Sequence, residues 1–167
     1  HDEGGRTALF AGKTKFSLFD VSYNEINGRP DAYGADHGRD KIDVFGVQSS
    51  AQETIDAFIA GGPFDLAFLH FSEPDDAGHA QGWTTGSDST SSYHEALEAV
   101  ASAMQSLWDF IGSDSAYAGV THVILTSDHG GTGTGHSEPD IALHFEVPFA
   151  VWGPSVERPD DLYALNV

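Results

Sequence analysis

Two pairs of side chains in this 167-residue chain have the types and spacing to hold a cation. The first is Asp75 with His79, in the run Glu73-Pro74-Asp75-Asp76-Ala77-Gly78-His79-Ala80-Gln81-Gly82. Residues four apart share one side of a helical turn, so this carboxylate and imidazole can reach one ion at the ~2.0 Å of a zinc bond. Gly78 and Gly82 are expected to permit a close backbone approach. The second pair is Asp128 with His129, in Ser127-Asp128-His129-Gly130-Gly131, with Gly133, Gly135 and His136 following. Adjacent side chains diverge in regular structure, but a glycine-rich turn at a strand end can aim both inward. Neither pair is specific alone, since Asp, His and Gly also make ordinary solvated turns. Their joint appearance, each just after an apolar run, is what points to metal chemistry.

The elements that must position these residues follow from hydrophobic patterning. Apolar runs alternate with helical patterns, which predicts an α/β fold: a mostly parallel central sheet with helices on both faces, in a single domain spanning residues 1–167. Strands are expected at 7–12, 65–71, 122–126 and 147–153, with the last three buried. A further apolar run lies at 16–21, and the Gly-, Asp- and Asn-rich segment 23–41 reads as a loop. Ser50 with Glu53 forms a capping box that opens a helix bearing Ile55, Phe58 and Ile59 on one face, and Gly61-Gly62-Pro63 ends it. Ser92 with Glu95 offers a second box before an amphipathic helix over 93–111, closed by Gly112. Both candidate pairs then fall at the carboxyl ends of strands, where open α/β sheets place ligand sites.

Composition narrows the partners. Seven Lys and Arg against 26 Asp and Glu give a formal charge of −19, which repels a nucleic-acid backbone or an anionic membrane surface. The acid excess is spread along the chain and reads as a solvated surface, suited to an extracytoplasmic or secreted protein. Without cysteine there is no disulfide framework and no thiolate site, so a metal must be held by Asp, Glu and His. No apolar run approaches the ~20 residues of a membrane span. The chain begins at His1 without an initiator Met or signal peptide, which suggests a processed or partial product.

The segments 73–82 and 126–136 together resemble the type I phosphodiesterase and nucleotide pyrophosphatase branch of the alkaline-phosphatase superfamily. The stretch LHFSEPDDAGHAQGW, the helix starting at Tyr93 and the ending VPFAVWGPSV extend the resemblance over most of the chain. It implies two divalent cations, zinc first, with manganese, magnesium or calcium as alternatives. The first ion would take Asp75, His79 and His136, and the second Asp128 and His129. His144 is the alternative third ligand of the first ion, although a buried histidine with a backbone partner explains it as well. The resemblance further implies a small phosphate-ester substrate, with the two ions clamping the attacking and leaving oxygens of an in-line displacement.

One departure matters. Relatives attack phosphorus with a Thr or Ser from an early strand-to-helix turn, and no such turn is found before Asp75, so the nucleophile region is expected to lie outside this chain. Thr84 and Thr85 are not assigned to that role. Association with the rest of a parent protein, or with other subunits, is the corresponding expectation. A catalytically silent extracellular module that keeps the metal residues is the rival reading. Asp36-His37-Gly38 repeats the triplet without a preceding strand and reads as a turn; Lys13 and Lys15 could steady a phosphate or neighbouring carboxylates; His70 reads as a core histidine; and His1, His94 and His122 lack a constellation.

Overall fold

The computed structural model describes residues 4–22, 26, 41–83 and 90–156. Strand β1 (Thr7–Ala11) is flanked by β2 (Val44–Val47) and β3 (Leu66–His70) in the order β2-β1-β3, and both pairings are parallel. Every residue of β1 is buried, as expected of a central strand covered on both faces. The register sets Ala11 opposite both Val47 and His70, so all three strands stop at one carboxyl edge. The sequence-based α/β expectation is met: the parallel sheet is flanked by helices.

One face carries α2 (Ala51–Gly61) and α4 (Ser92–Ser113). Ala8 and Phe10 of β1 meet Ile55 and Phe58 of α2 and Met104, Leu107 and Ile111 of α4 in a single cluster, closed by Phe64 and Tyr117. Ser50 caps α2 by accepting from the Glu53 amide, and the Glu53 carboxylate reaches back to the Ser49 amide at 2.9 Å rather than to Ser50 itself. The cap of α4 is Ser91, whose hydroxyl accepts from the His94 amide. The box expected of Ser92 and Glu95 is therefore displaced by one residue, because Ser91 takes the extended backbone that an N-cap requires.

On the other face Phe16, at the end of a short 3-10 turn, lies against Phe68 and His70 of β3 and leads into α1 (Ser17–Ser22). The apolar run at 16–21 is thus mostly helical. Three burial expectations are corrected. Strand β3 is at the sheet edge, with Leu66 68% and Phe68 52% exposed. The segments at 122–126 and 147–153 form β4 (Val123–Thr126) and β5 (Phe149–Trp152), an antiparallel pair in a separate sheet whose side chains are mostly exposed. An apolar run records that a strand is hydrophobic, not which neighbours cover it among the described residues. The pair is tied to the main body where Trp152 meets Trp108 of α4 at 5.1 Å. No helix among the described residues is long and apolar enough to cross a membrane.

A buried polar link crosses the core. The Phe64 amide donates to the Tyr117 hydroxyl at 2.8 Å, joining the turn before β3 to the segment after α4. Tyr117→Phe removes the acceptor and strands a buried donor, so it should cost about 1–3 kcal/mol in chemical denaturation; an unchanged midpoint would show that solvent replaces the bond.

Candidate metal centre

The carboxyl edge of β3 feeds directly into α3 (Glu73–Gln81). Pro74 in its first turn fits a position where no amide proton is needed. The Glu73 carboxylate accepts from the Ala51 amide, which pins the start of α3 to the start of α2. Asp75 and His79 therefore face the same way, as their spacing requires, and His79 Nε2 lies 3.4 Å from Asp75 Oδ1. After β4 the chain enters the glycine-rich loop that carries Asp128, His129 and His136. Here Trp83 locks loop to helix: its amide donates to the Gly133 carbonyl at 2.8 Å, and its indole fills the space left by two absent side chains. A Cβ on Gly78 would come within 2.3 Å of that ring, and one on Gly131 within 2.4 Å. The close approach expected at Gly78 is thus made by a side chain, whereas at Gly82, with φ of 102°, it is made by the Gly133 carbonyl.

This locking gathers three of the five predicted residues, Asp75, His129 and His136, and leaves His79 and Asp128 at the margin. One ligand atom each from Asp75, His129 and His136 lies within 4.8 Å of the others. The His129 and His136 rings stack at 3.6 Å with 9° between their planes, and His79 approaches His136 at 5.0 Å. Asp128 stands apart, with its side chain 75% exposed and its Oδ1 3.7 Å from His129 Nε2. His129 Nε2 is also 3.6 Å from Asp75 Oδ1, so it sits between the two carboxylates rather than with Asp128 alone.

Hydrogen bonds decide which ring atoms are free. His79 Nδ1 is 3.1 Å from the Thr134 carbonyl and His129 Nδ1 is 2.8 Å from the Gly130 carbonyl. A carbonyl only accepts, so both rings carry their proton on Nδ1 when neutral and present a lone pair at Nε2. Both Nε2 atoms face Asp75 Oδ1, which is buried and has no hydrogen-bond partner. Asp75 Oδ1 thus meets a lone pair from each imidazole with no proton between them, an arrangement that a cation relieves. These donors fit a zinc-type ion, being imidazole nitrogen and carboxylate oxygen.

Lys13, just beyond β1, places its ammonium on the other Asp75 oxygen and 3.3 Å from Asp76 Oδ1. Burial acts to raise the Asp75 pKa, but the hydrogen bond and charge of Lys13, with His79 and His129, outweigh it and hold the group below the usual carboxylate range. At Lys13 burial acts to lower the pKa, but the hydrogen bonds and charges of Asp75 and Asp76 outweigh it and raise the group above its usual value. Of the two lysines weighed from sequence, Lys13 is therefore the one at the site.

The other histidines lie apart from the group. His144 is buried and bonded within its own loop. His70 shares the Gly12 amide through Nδ1 at 3.3 Å and packs on Phe16 at 4.3 Å. His94 contacts the Ser91 hydroxyl, and His122 is exposed. His1, Thr84, Thr85 and the triplet Asp36-His37-Gly38 lie outside the described residues. Sequence reasoning missed Trp83; its one signal was the pair of glycines it needs, which read equally well as turn residues.

Residues 7–147 match the family model of type I phosphodiesterase / nucleotide pyrophosphatase. No curated protein matches the chain.

Two outcomes follow from this geometry. Gly131→Ala drives a methyl into the Trp83 ring and should destabilise the metal-free protein by about 1–3 kcal/mol, with altered near-ultraviolet dichroism; a native spectrum would mean that the loop yields without strain. Burial chiefly lowers the His70 pKa from its ordinary 6.5, so the unfolded chain binds this proton more readily. Its contribution to stability is full above pH 6.5 and is lost as pH falls through the lower folded value. Denaturation of metal-free wild type against His70→Asn should show that fall in the wild type only.

Proposed function

The chain belongs to the type I phosphodiesterase / nucleotide pyrophosphatase family, and from that membership we propose that it hydrolyses phosphate esters with divalent cations held by Asp75, His79, Asp128, His129 and His136. The observation that carries this reading is the gathering of ligand atoms from Asp75, His129 and His136 within 4.8 Å of one another, beside a buried Asp75 Oδ1 that has no hydrogen-bond partner. Asp75, His79 and His136 suit a first ion and Asp128 a second, with His129 between them. When bound, such ions supply Lewis acidity toward the phosphoryl oxygens and lower the pKa of a coordinated hydroxyl or water. They also reverse the local field in a chain of net charge −19, so that an anionic ester can approach. An extracytoplasmic setting suits that acidic surface.

The chain's own residues supply position. The Gly130 and Thr134 carbonyls hold the two imidazoles in one tautomer, and Lys13 occupies the Asp75 oxygen that faces away from them. Three hydroxyls near the group are committed elsewhere: Ser127 donates to the His129 carbonyl, Ser72 to that of Gly12, and Thr132 pairs with His144. In this reading the attacking hydroxyl comes from outside the described residues. That commitment also supports the rival, a module that keeps metal for stability and turns nothing over.

The test is metal analysis of the full natural-length protein together with hydrolysis of a bis-aryl phosphodiester. Bound zinc and turnover, with His129→Ala weakening zinc affinity by roughly 100-fold or more, are expected. Zinc without turnover would select the silent module, and neither would end the metal reading.

A further inference from the structure

The loop that carries His129 and His136 closes on a residue that no part of the metal group touches. His144 lies in the 3-10 turn Ala142–His144 and is 1% exposed, one of the largest fully buried side chains among the described residues. Its ring spans the loop. Glu138 donates its amide proton to Nδ1 at 3.1 Å, which in the neutral ring places the proton on Nε2, directed at the Thr132 hydroxyl 2.8 Å away. The Glu138 carboxylate also lies 3.1 Å from Nδ1. On the backbone, the Gly130 amide donates to the His144 carbonyl at 2.9 Å.

These contacts reach three points along the loop: Gly130, next to His129; Thr132, midway; and Glu138, two residues beyond His136. Two further observations show that the loop is fitted to this anchor. A Cβ on Gly130 would stand 2.0 Å from the Leu143 carbonyl, so only glycine lets the 3-10 turn lie this close. Thr132 and Gly135 exchange backbone hydrogen bonds at 3.0 and 3.1 Å, making a compact turn that His144 supports at the Thr132 hydroxyl and His79 at the Thr134 carbonyl. Burying a polar ring is costly unless both nitrogens are bonded, and here both are.

We propose that His144 is a positioning residue for the metal centre, fixing the separation of His129 and His136 through ring hydrogen bonds at Thr132, between them, and at Glu138, just beyond His136. The inference rests on the metal reading above. It assigns to His144 no contact with metal or substrate. Its effect is on how often the loop presents both imidazoles together, and therefore on metal affinity more than on folding.

The experiment is zinc affinity by competition with a chelating indicator, alongside thermal melting of the metal-free protein, for wild type, His144→Ala, Thr132→Val and His129→Ala. His144→Ala should weaken zinc binding by about 10–100-fold in a protein that still melts cooperatively without metal, and Thr132→Val should shift it the same way by less. A drop in metal-free melting temperature with unchanged zinc affinity would reduce His144 to a core residue and overturn the proposal. If His144→Ala fails to fold, Thr132→Val decides, and unchanged affinity there overturns it equally. His129→Ala separates the two readings: if it weakens zinc binding while the loop variants do not, only the positioning role fails. If it leaves zinc affinity intact, the ligand assignment fails and the positioning role with it.

Discussion

A buried carboxylate oxygen without a proton to accept is the constraint around which this protein is arranged. Asp75 Oδ1 faces two imidazole nitrogens whose protons are committed to backbone carbonyls on the far side of each ring. Lone pairs so arranged repel one another, and the fold must hold them together. It does so from two directions. Helix α3 is fixed by the edge of the parallel sheet and by the Glu73 carboxylate at the start of α2. The glycine loop is fixed by Trp83 on one side and by the turn around His144 on the other.

Two of the four glycines in that loop then have a packing cause. Gly130 admits the Leu143 carbonyl and Gly131 admits the Trp83 indole, each at a distance that excludes any side chain. Gly78 meets the same indole from the helix side. Three separate absences of a Cβ thus bring two remote segments together at the group of Asp75, His129 and His136. The charge pattern fits this economy: Lys13 neutralises the one Asp75 oxygen that the imidazoles leave alone.

Much of this was legible in the sequence because local rules governed it. The central strand, α2 with its Ser50 cap, the long helix α4 and the placement of both motifs after strands all followed from periodicity and turn chemistry. The four-residue spacing of Asp75 and His79 needed only a helix to be meaningful. What could not be read was non-local. An apolar run does not say whether a strand sits in the middle of a sheet, like β1, or at its edge, like β3, and β4 with β5 turned out to pair antiparallel in a sheet of their own. Spacing likewise could not say that His129 would lie between Asp75 and Asp128. That depends on where Trp83 and His144 press the loop, and neither residue carries a motif.

The position of Trp83 gives the site an optical property. Its indole lies 4.9 Å from His79, 5.8 Å from His136 and 6.2 Å from His129, while the other two tryptophans contact each other at 5.1 Å. The emission of one fluorophore is thereby coupled to three imidazoles, and a change in their charge or occupancy alters its surroundings directly. The residue that wedges helix to loop also serves as the chain's internal gauge of what the loop is holding.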